Sequence, residues 1–166
     1  MAIPQTALVV SGRFGDGLSG AEVARAIARG LVAGGLAKPD ICPIDAEEPT
    51  QADASGRAAA ERVRETQGAI VPDVAALLLT LDFDTRMRRA RAVVLAEWRL
   101  AESTLRGSAV FEIATRARQG GVPAYAVTGE NILAPFDARI LDLQVILEAS
   151  DKRALAGAGR KLAGLI

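Results

Sequence analysis

The stretch ARAVVLAEWRLAESTLRG, Ala90–Gly107, decides the fold. Its apolar run Ala92-Val93-Val94-Leu95 is short and rich in β-branched residues, which predicts a buried strand. Polar residues follow at once: Glu97, Arg99, Glu102, Ser103, Thr104 and Arg106, closed by Gly107. A helical pattern starts near Ser108. A buried strand, a polar connection and a helix make one unit of an open α/β sheet. In such sheets ligands bind where connections leave the carboxyl ends of strands. The connection Glu97–Gly107 is therefore the first candidate site.

Working outward, the same alternation recurs. Thr6–Val10 and Asp40–Ile44 read as strands before this one, Pro123–Thr128 and Leu143–Leu147 as strands after it. Pro43 keeps the second of these short. Ser19-Gly20-Ala21-Glu22 has the S-x-x-E form of a capping box, and Val23, Ile27 and Leu31 then recur at helical spacing up to Gly34-Gly35. Further helices are expected at 54–66, from Pro72 to Leu81, from Asp84, and from Ser108 to Gln119. In the last of these Val110, Ile113, Ala114 and Ala117 face inward. Ser150 is expected to cap a terminal helix with Leu155, Ala158, Leu162 and Leu165 on one apolar face. Thr128–Asn131 reads as a second polar loop at a strand end. The pattern predicts a three-layer α/β fold: an open, mostly parallel, Rossmann-like sheet with helices on both faces.

At 166 residues, half of them apolar, the chain suits a single domain, 1–166, with its own core. Twenty basic and twenty acidic residues cancel, which argues against nucleic acid or a membrane surface as the main partner. No apolar run reaches membrane-spanning length, so a cytoplasmic location is expected. One cysteine, Cys42, cannot form an internal disulfide. The absence of histidine removes His-based acid–base and Ser–His–Asp chemistry and most zinc sites. The basic residues are nearly all arginine, which binds carboxylate and phosphate bidentately.

Two motifs admit alternative readings. Gly15-Asp16-Gly17-Leu18-Ser19-Gly20 satisfies G-x-G-x-x-G between a strand and a helix, as a dinucleotide-binding turn does, with Asp45 as ribose acceptor. The strand pattern stops at Val10, well before Gly15, and a glycine loop that merely turns the chain fits as well. Asp45, Glu47 and Glu48 are either Mg²⁺ ligands that act with substrate phosphates or an exposed acidic loop.

Leu95–Ala114, LAEWRLAESTLRGSAVFEIA, resembles the signature of the glycerate kinase family, roughly T-G-E-G-R-x-D-x-Q-T-x-x-G-K-x-P. Glu97, Arg99, Thr104 and Gly107 match in register. Ala96 and Trp98 stand in place of glycines, Ala101 in place of an acidic residue and Ser108 in place of the lysine. Val10–Gly20 resembles the family's A-P-D-S-F-K-G-S-L-S-A through Phe14, Leu18 and Ser19, with Gly12, Arg13 and Gly15 where the family has Asp, Ser and Lys. Pro43–Asp53 keeps Pro43 and acidic residues but loses the glycines. Gly68–Arg91 and Pro123–Gly129 follow the family pattern more closely. The resemblance implies the first domain of that family, with a shortened connection around 46–68 where the family carries its second domain. It implies ATP and Mg²⁺ as cofactors if the phosphorylation of glycerate persists.

The lost lysines, aspartates and glycines lead to three expectations. One is a degenerate site that binds a small organic acid or phosphate through Arg13, Ser19, Asp45, Glu97, Arg99, Thr104, Arg106 and Gly107. A second is a non-catalytic interaction or oligomerising domain, with Trp98 as anchor and a second copy or partner protein over the cleft. The third is an active kinase completed by a partner chain.

Overall fold

The computed structural model describes residues 6–45 and 70–166. The strands are β1 (Ala7–Ser11), β2 (Asp40–Pro43), β3 (Ala92–Leu100), β4 (Ala124–Asn131) and β5 (Leu143–Glu148). They form one parallel sheet in the order β2-β1-β3-β4-β5. Parallel neighbours need crossover connections. These carry α1 (Gly20–Ala33), α2 (Ile70–Thr80), α3 (Phe83–Arg89), α4 (Ala109–Gln119) and α5 (Pro135–Ile140); α6 (Lys152–Ala163) follows β5.

Strand alternation sorts the core into two layers. Ala7, Val9, Ala92, Val94, Tyr125 and Val127 pack with Val23, Ile27 and Leu31 of α1 and Leu155 and Leu162 of α6. Leu8, Val10, Val93, Leu95, Ala124 and Ala126 pack with Leu78 of α2, Phe83 and Met87 of α3, and Val110, Ile113 and Ala117 of α4. Covered on both faces, β1 is buried at every residue, which explains its apolar run Ala7–Val10. The expected three-layer α/β architecture is what the chain adopts.

Local chemistry accounts for the helix ends. Ser19 and Glu22 form both halves of the capping box at α1. Ser108 caps α4 by accepting from the Phe111 amide, and Gly120-Gly121 ends it, Gly121 with φ +69°. α1 and α6 cross at Gly30 and Gly159. A Cβ on either would run into the backbone oxygens of Ala156 and Ile27 respectively, so the closeness of this crossing requires both glycines. Arg86 of α3 fastens the β2 edge. Its guanidinium donates to both oxygens of Asp40, at 2.8 and 2.7 Å, and to the Ile41 carbonyl at 2.8 Å.

Several boundaries differ from the sequence reading. β3 does not stop at Leu95 but runs to Leu100, and β4 runs to Asn131. Glu97–Leu100, the start of the segment read as a polar connection, and Thr128–Asn131, read as a polar loop, form a two-stranded extension in which Glu97 lies opposite Thr128 and Arg99 opposite Glu130. The cross-strand pair Arg99–Glu130, 3.2 Å apart, supplies the complementarity that apolar pattern did not. Asp151, not Ser150, caps α6, because its carboxylate accepts from the Ala154 amide. Leu165 is exposed rather than on the apolar face. α2 begins at Ile70, and α5 was not anticipated. The helix expected at 54–66 lies outside the described residues, as does the whole of the 46–68 connection. Among the described residues no helix is long and apolar enough to cross a membrane.

Candidate functional site

α1 follows β1 onto one face of the sheet, and α4 follows β3 onto the other. The chain therefore diverges between the carboxyl ends of β1 and β3, which opens a crevice there. The residues that border it come from the β1–α1 loop, the end of β2 and the β3–β4 extension.

The β1–α1 loop is a hairpin closed by two bonds between the backbones of Phe14 and Leu18, with Gly15 at φ +53° in its turn. Its glycines thus serve a turn and a helix start. The Gly20 amide donates to Asp45 Oδ2 at 2.6 Å. A Cβ on Gly20 would collide with Asp45 Oδ1 and the Ser11 carbonyl, so glycine is what lets the carboxylate close on the helix end. Oδ1 is buried with no hydrogen-bond partner among the described residues. The Ser11 hydroxyl donates to the Gly20 carbonyl. Glu22 accepts from the Ser19 amide at 3.0 Å and from Lys152 at 3.0 Å. These two contacts, the backbone bond first, hold its carboxyl below the usual range. The positive end of α1 is thus met by two of the chain's own carboxylates. In a dinucleotide site a pyrophosphate stands there.

Trp98 lies across the crevice. Its ring meets Phe14 edge to face, with centroids 5.7 Å apart and planes at 68°. It covers Gly129 so closely that a Cβ there would enter the ring. Only 37% of Trp98 remains exposed. Glu97 points to the other face, beside Gly12, whose amide donates to the Ala96 carbonyl at 3.0 Å. Glu97 Oε1 accepts from the Trp98 amide at 3.1 Å, and Oε2 stands 3.3 Å from where a Cβ on Gly12 would be. Burial pushes the Glu97 carboxyl above its ordinary value, and the single amide bond opposes this only in part. Arg13 is exposed, and no hydrogen bond or ion pair joins it to a described residue.

The remaining candidates order the β3–α4 connection. Thr104 is buried, and its hydroxyl accepts from the Ala101 amide at 3.0 Å. Ser108 donates to the Thr104 carbonyl at 2.6 Å. Gly107 takes φ +82° between them. Arg106 pairs with Glu102 at 2.9 Å, both exposed. The structure therefore brings Ser19 and Asp45 together at the start of α1, and seats Glu97 against the Gly12 that precedes Arg13. No hydrogen bond links Thr104, Arg106 or Gly107 to Glu97. Sequence reasoning missed Ser11, took Gly129 as part of the polar loop Thr128–Asn131, and read Gly12 only as a lost aspartate. Their roles follow from strand register, and only the pairing of β1, β3 and β4 supplies that.

No group of three Asp, Glu, Cys or His side chains converges on a cation position among the described residues. Asp45 is turned onto α1, and Glu47 and Glu48 lie outside the described residues. A groove of about 430 Å³ between α3 and α4, lined by Asp84, Met87, Glu112 and Arg116 among others, opens by the carboxyl end of α4. That end of a crossover helix lies at the amino ends of the strands, away from the crevice. In the groove Arg116 holds Glu112 at 2.8 Å and Asp84 at 3.1 Å.

Residues 37–153 match the Glycerate kinase family. No curated protein matches the chain. Among solved structures, a diflavin flavoprotein A3 from Nostoc sp. is similar with a TM-score of 0.45 and 14% identity, over 97% of this chain and 93% of that one. A putative pilus assembly-related protein from Burkholderia pseudomallei K96243 is similar with a TM-score of 0.43 and 15% identity, over 99% of this chain and 94% of that one.

Proposed function

Because the chain belongs to the glycerate kinase family through residues 37–153, we propose that it is a glycerate-kinase-like protein whose site binds a small organic acid or phosphate without efficient phosphoryl transfer. The observation that carries this reading is Trp98, packed between Phe14 and Gly129 in the crevice at the carboxyl ends of the strands. Phosphoryl transfer depends on positioning and on neutralising charge at the transferring group. Here an indole fills space in the crevice, and the α1 N-terminus already holds Asp45 and Glu22. Arg13, exposed in the β1–α1 loop, supplies the cation for an anion, and Glu97 a carboxyl seated against Gly12, the residue before it in the chain. Thr104, Gly107 and Ser108 keep the β3–α4 connection in shape.

The test is direct. The protein is incubated with ATP, Mg²⁺ and glycerate, and phosphoglycerate is measured. The proposal expects none above the enzyme-free control. Sustained turnover overturns it and favours an active kinase.

A second reading, an interaction or oligomerising domain, is supported by a separate observation. Phe136, 74% exposed, and Ile140 lie one turn apart on α5, near the exposed Ile132. Sedimentation of the protein and of Phe136→Asp tests it: a self-associated species that the variant loses supports this reading, and a monomer in both opposes self-association.

A further inference from the structure

Glu97, like Asp45 with its unpartnered Oδ1, is a carboxylate of the crevice that its own hydrogen bonds leave half used. Among the described residues it accepts a single bond, from the Trp98 amide, while Oε2 faces the Gly12 backbone with no donor. No ion pair reaches it among the described residues. On its own strand, Arg99 is held by Glu130 at 3.2 Å. On β4, the Thr128 hydroxyl donates to the carbonyls of Trp98 and Glu130, at 3.2 and 3.0 Å, and not to Glu97. Asp45, after β2, is held by the Gly20 amide. On the helices of the same face, Arg86 is held by Asp40, and Arg116 by Asp84 and Glu112. In the β3–α4 connection Arg106 is held by Glu102. Arg13, in the loop that follows Gly12, is a cation nearby in sequence with no such partner among the described residues.

An anion bound beside an ionised, half-buried carboxylate meets like charge where water screens it poorly. Beside the neutral acid it meets a hydroxyl donor, and O–H···O⁻ bonds are short and strong. Resting on the anion-binding reading above, we propose that Glu97 couples ligand binding to protonation: the carboxyl takes one proton from solvent and donates that hydrogen to the bound carboxylate or phosphate, while Arg13 supplies the positive charge. Only the Glu97 O–H bond is formed, and no other covalent bond changes. The site then favours small organic acids as their anions plus one proton, and releases them as pH rises. Burial of Glu97, which pushes its carboxyl upward, acts in the same direction.

The experiment is calorimetric titration of the full chain with glycerate, in two buffers of different ionisation enthalpy, at several pH values. Glycerate's own carboxyl is fully ionised throughout, so any proton taken up belongs to the protein. The expected result is uptake of close to one proton per glycerate above the Glu97 pKa, with Kd weakening about tenfold per pH unit there. Glu97→Gln should bind glycerate with no proton uptake and a flat pH profile. A ligand-free readout stands beside it. Trp98 is the only tryptophan, and its amide is bonded to Glu97. Its emission should titrate in the wild type and not in Glu97→Gln. Glycerate binding without proton uptake in the wild type overturns this proposal alone. Failure of glycerate and inorganic phosphate to bind at any pH overturns the anion-binding reading and this proposal with it.

Discussion

Replacing Trp98 by alanine tests whether the indole is packed into the crevice or merely rests on the surface. A large aromatic buries roughly 150–250 Å² when fully enclosed. Trp98 retains 37% of its exposure, so about two thirds of that area is removed from water. At ~25 cal/mol per Å² this amounts to about 3 kcal/mol. A compact unfolded chain lowers the figure by ~10–40%. Loss of the edge-to-face contact with Phe14, 5.7 Å between centroids, adds about 1 kcal/mol. Trp98→Ala should therefore destabilise the protein by about 3 kcal/mol, and lower Tm by about 6–12 °C for a domain of this size. Urea unfolding followed by far-ultraviolet circular dichroism measures it, since the variant has no tryptophan. A change below about 0.5 kcal/mol, the value for an ordinary surface substitution, would refute the packed crevice.

Other perturbations probe the same geometry. Gly129→Ala puts a methyl where the Trp98 ring lies, so it should cost about 1–3 kcal/mol and shift Trp98 emission to the red; unchanged emission would contradict the contact. Gly20→Ala drives a Cβ against Asp45 and the Ser11 carbonyl and should cost about 2 kcal/mol in chemical unfolding, whereas a neutral effect would mean that Asp45 does not close on α1. Arg86→Ala removes a bidentate pair and a carbonyl contact at the β2 edge, with an expected loss of about 1–2 kcal/mol. The carboxyl of Glu97 is raised in the folded state, so its ionisation opposes folding, and that loss develops as pH rises from the ordinary glutamate range through the folded value. The stability of Glu97→Gln relative to wild type should accordingly increase from about pH 4 to neutral pH; a constant difference would mean that the carboxyl is not desolvated.

What the sequence made legible was local. Ser108 and the spacing of Val110, Ile113, Ala114 and Ala117 specify α4 from its cap to its buried stripe, and Ser19 with Glu22 specifies the start of α1. The continuous apolar runs of β1 and the first half of β3 mark strands covered on both sides. What was not legible depends on partners distant in the chain. Glu97-Trp98-Arg99 looks like a loop until Glu130, 31 residues on from Arg99, pairs with it across the strands. Asp45 reads as a ribose acceptor or Mg²⁺ ligand until it is seen 2.6 Å from the Gly20 amide, 25 residues earlier. The glycine motif reads as a phosphate cradle until Phe14 and Leu18 close it as a hairpin. Trp98 could be placed only once register set it over Gly129.

Ligand binding by the intact protein tests the central claim most directly, through thermal shifts with glycerate and with inorganic phosphate, each alone and with ATP and Mg²⁺. Mass action stabilises the folded state by about 2.7 kcal/mol at a hundredfold excess over Kd, or about 5–11 °C here. The account predicts such a rise with glycerate or phosphate alone, and no further rise from ATP and Mg²⁺. A Tm unmoved by either anion, or a rise that requires ATP and Mg²⁺ together with glycerate, would contradict it.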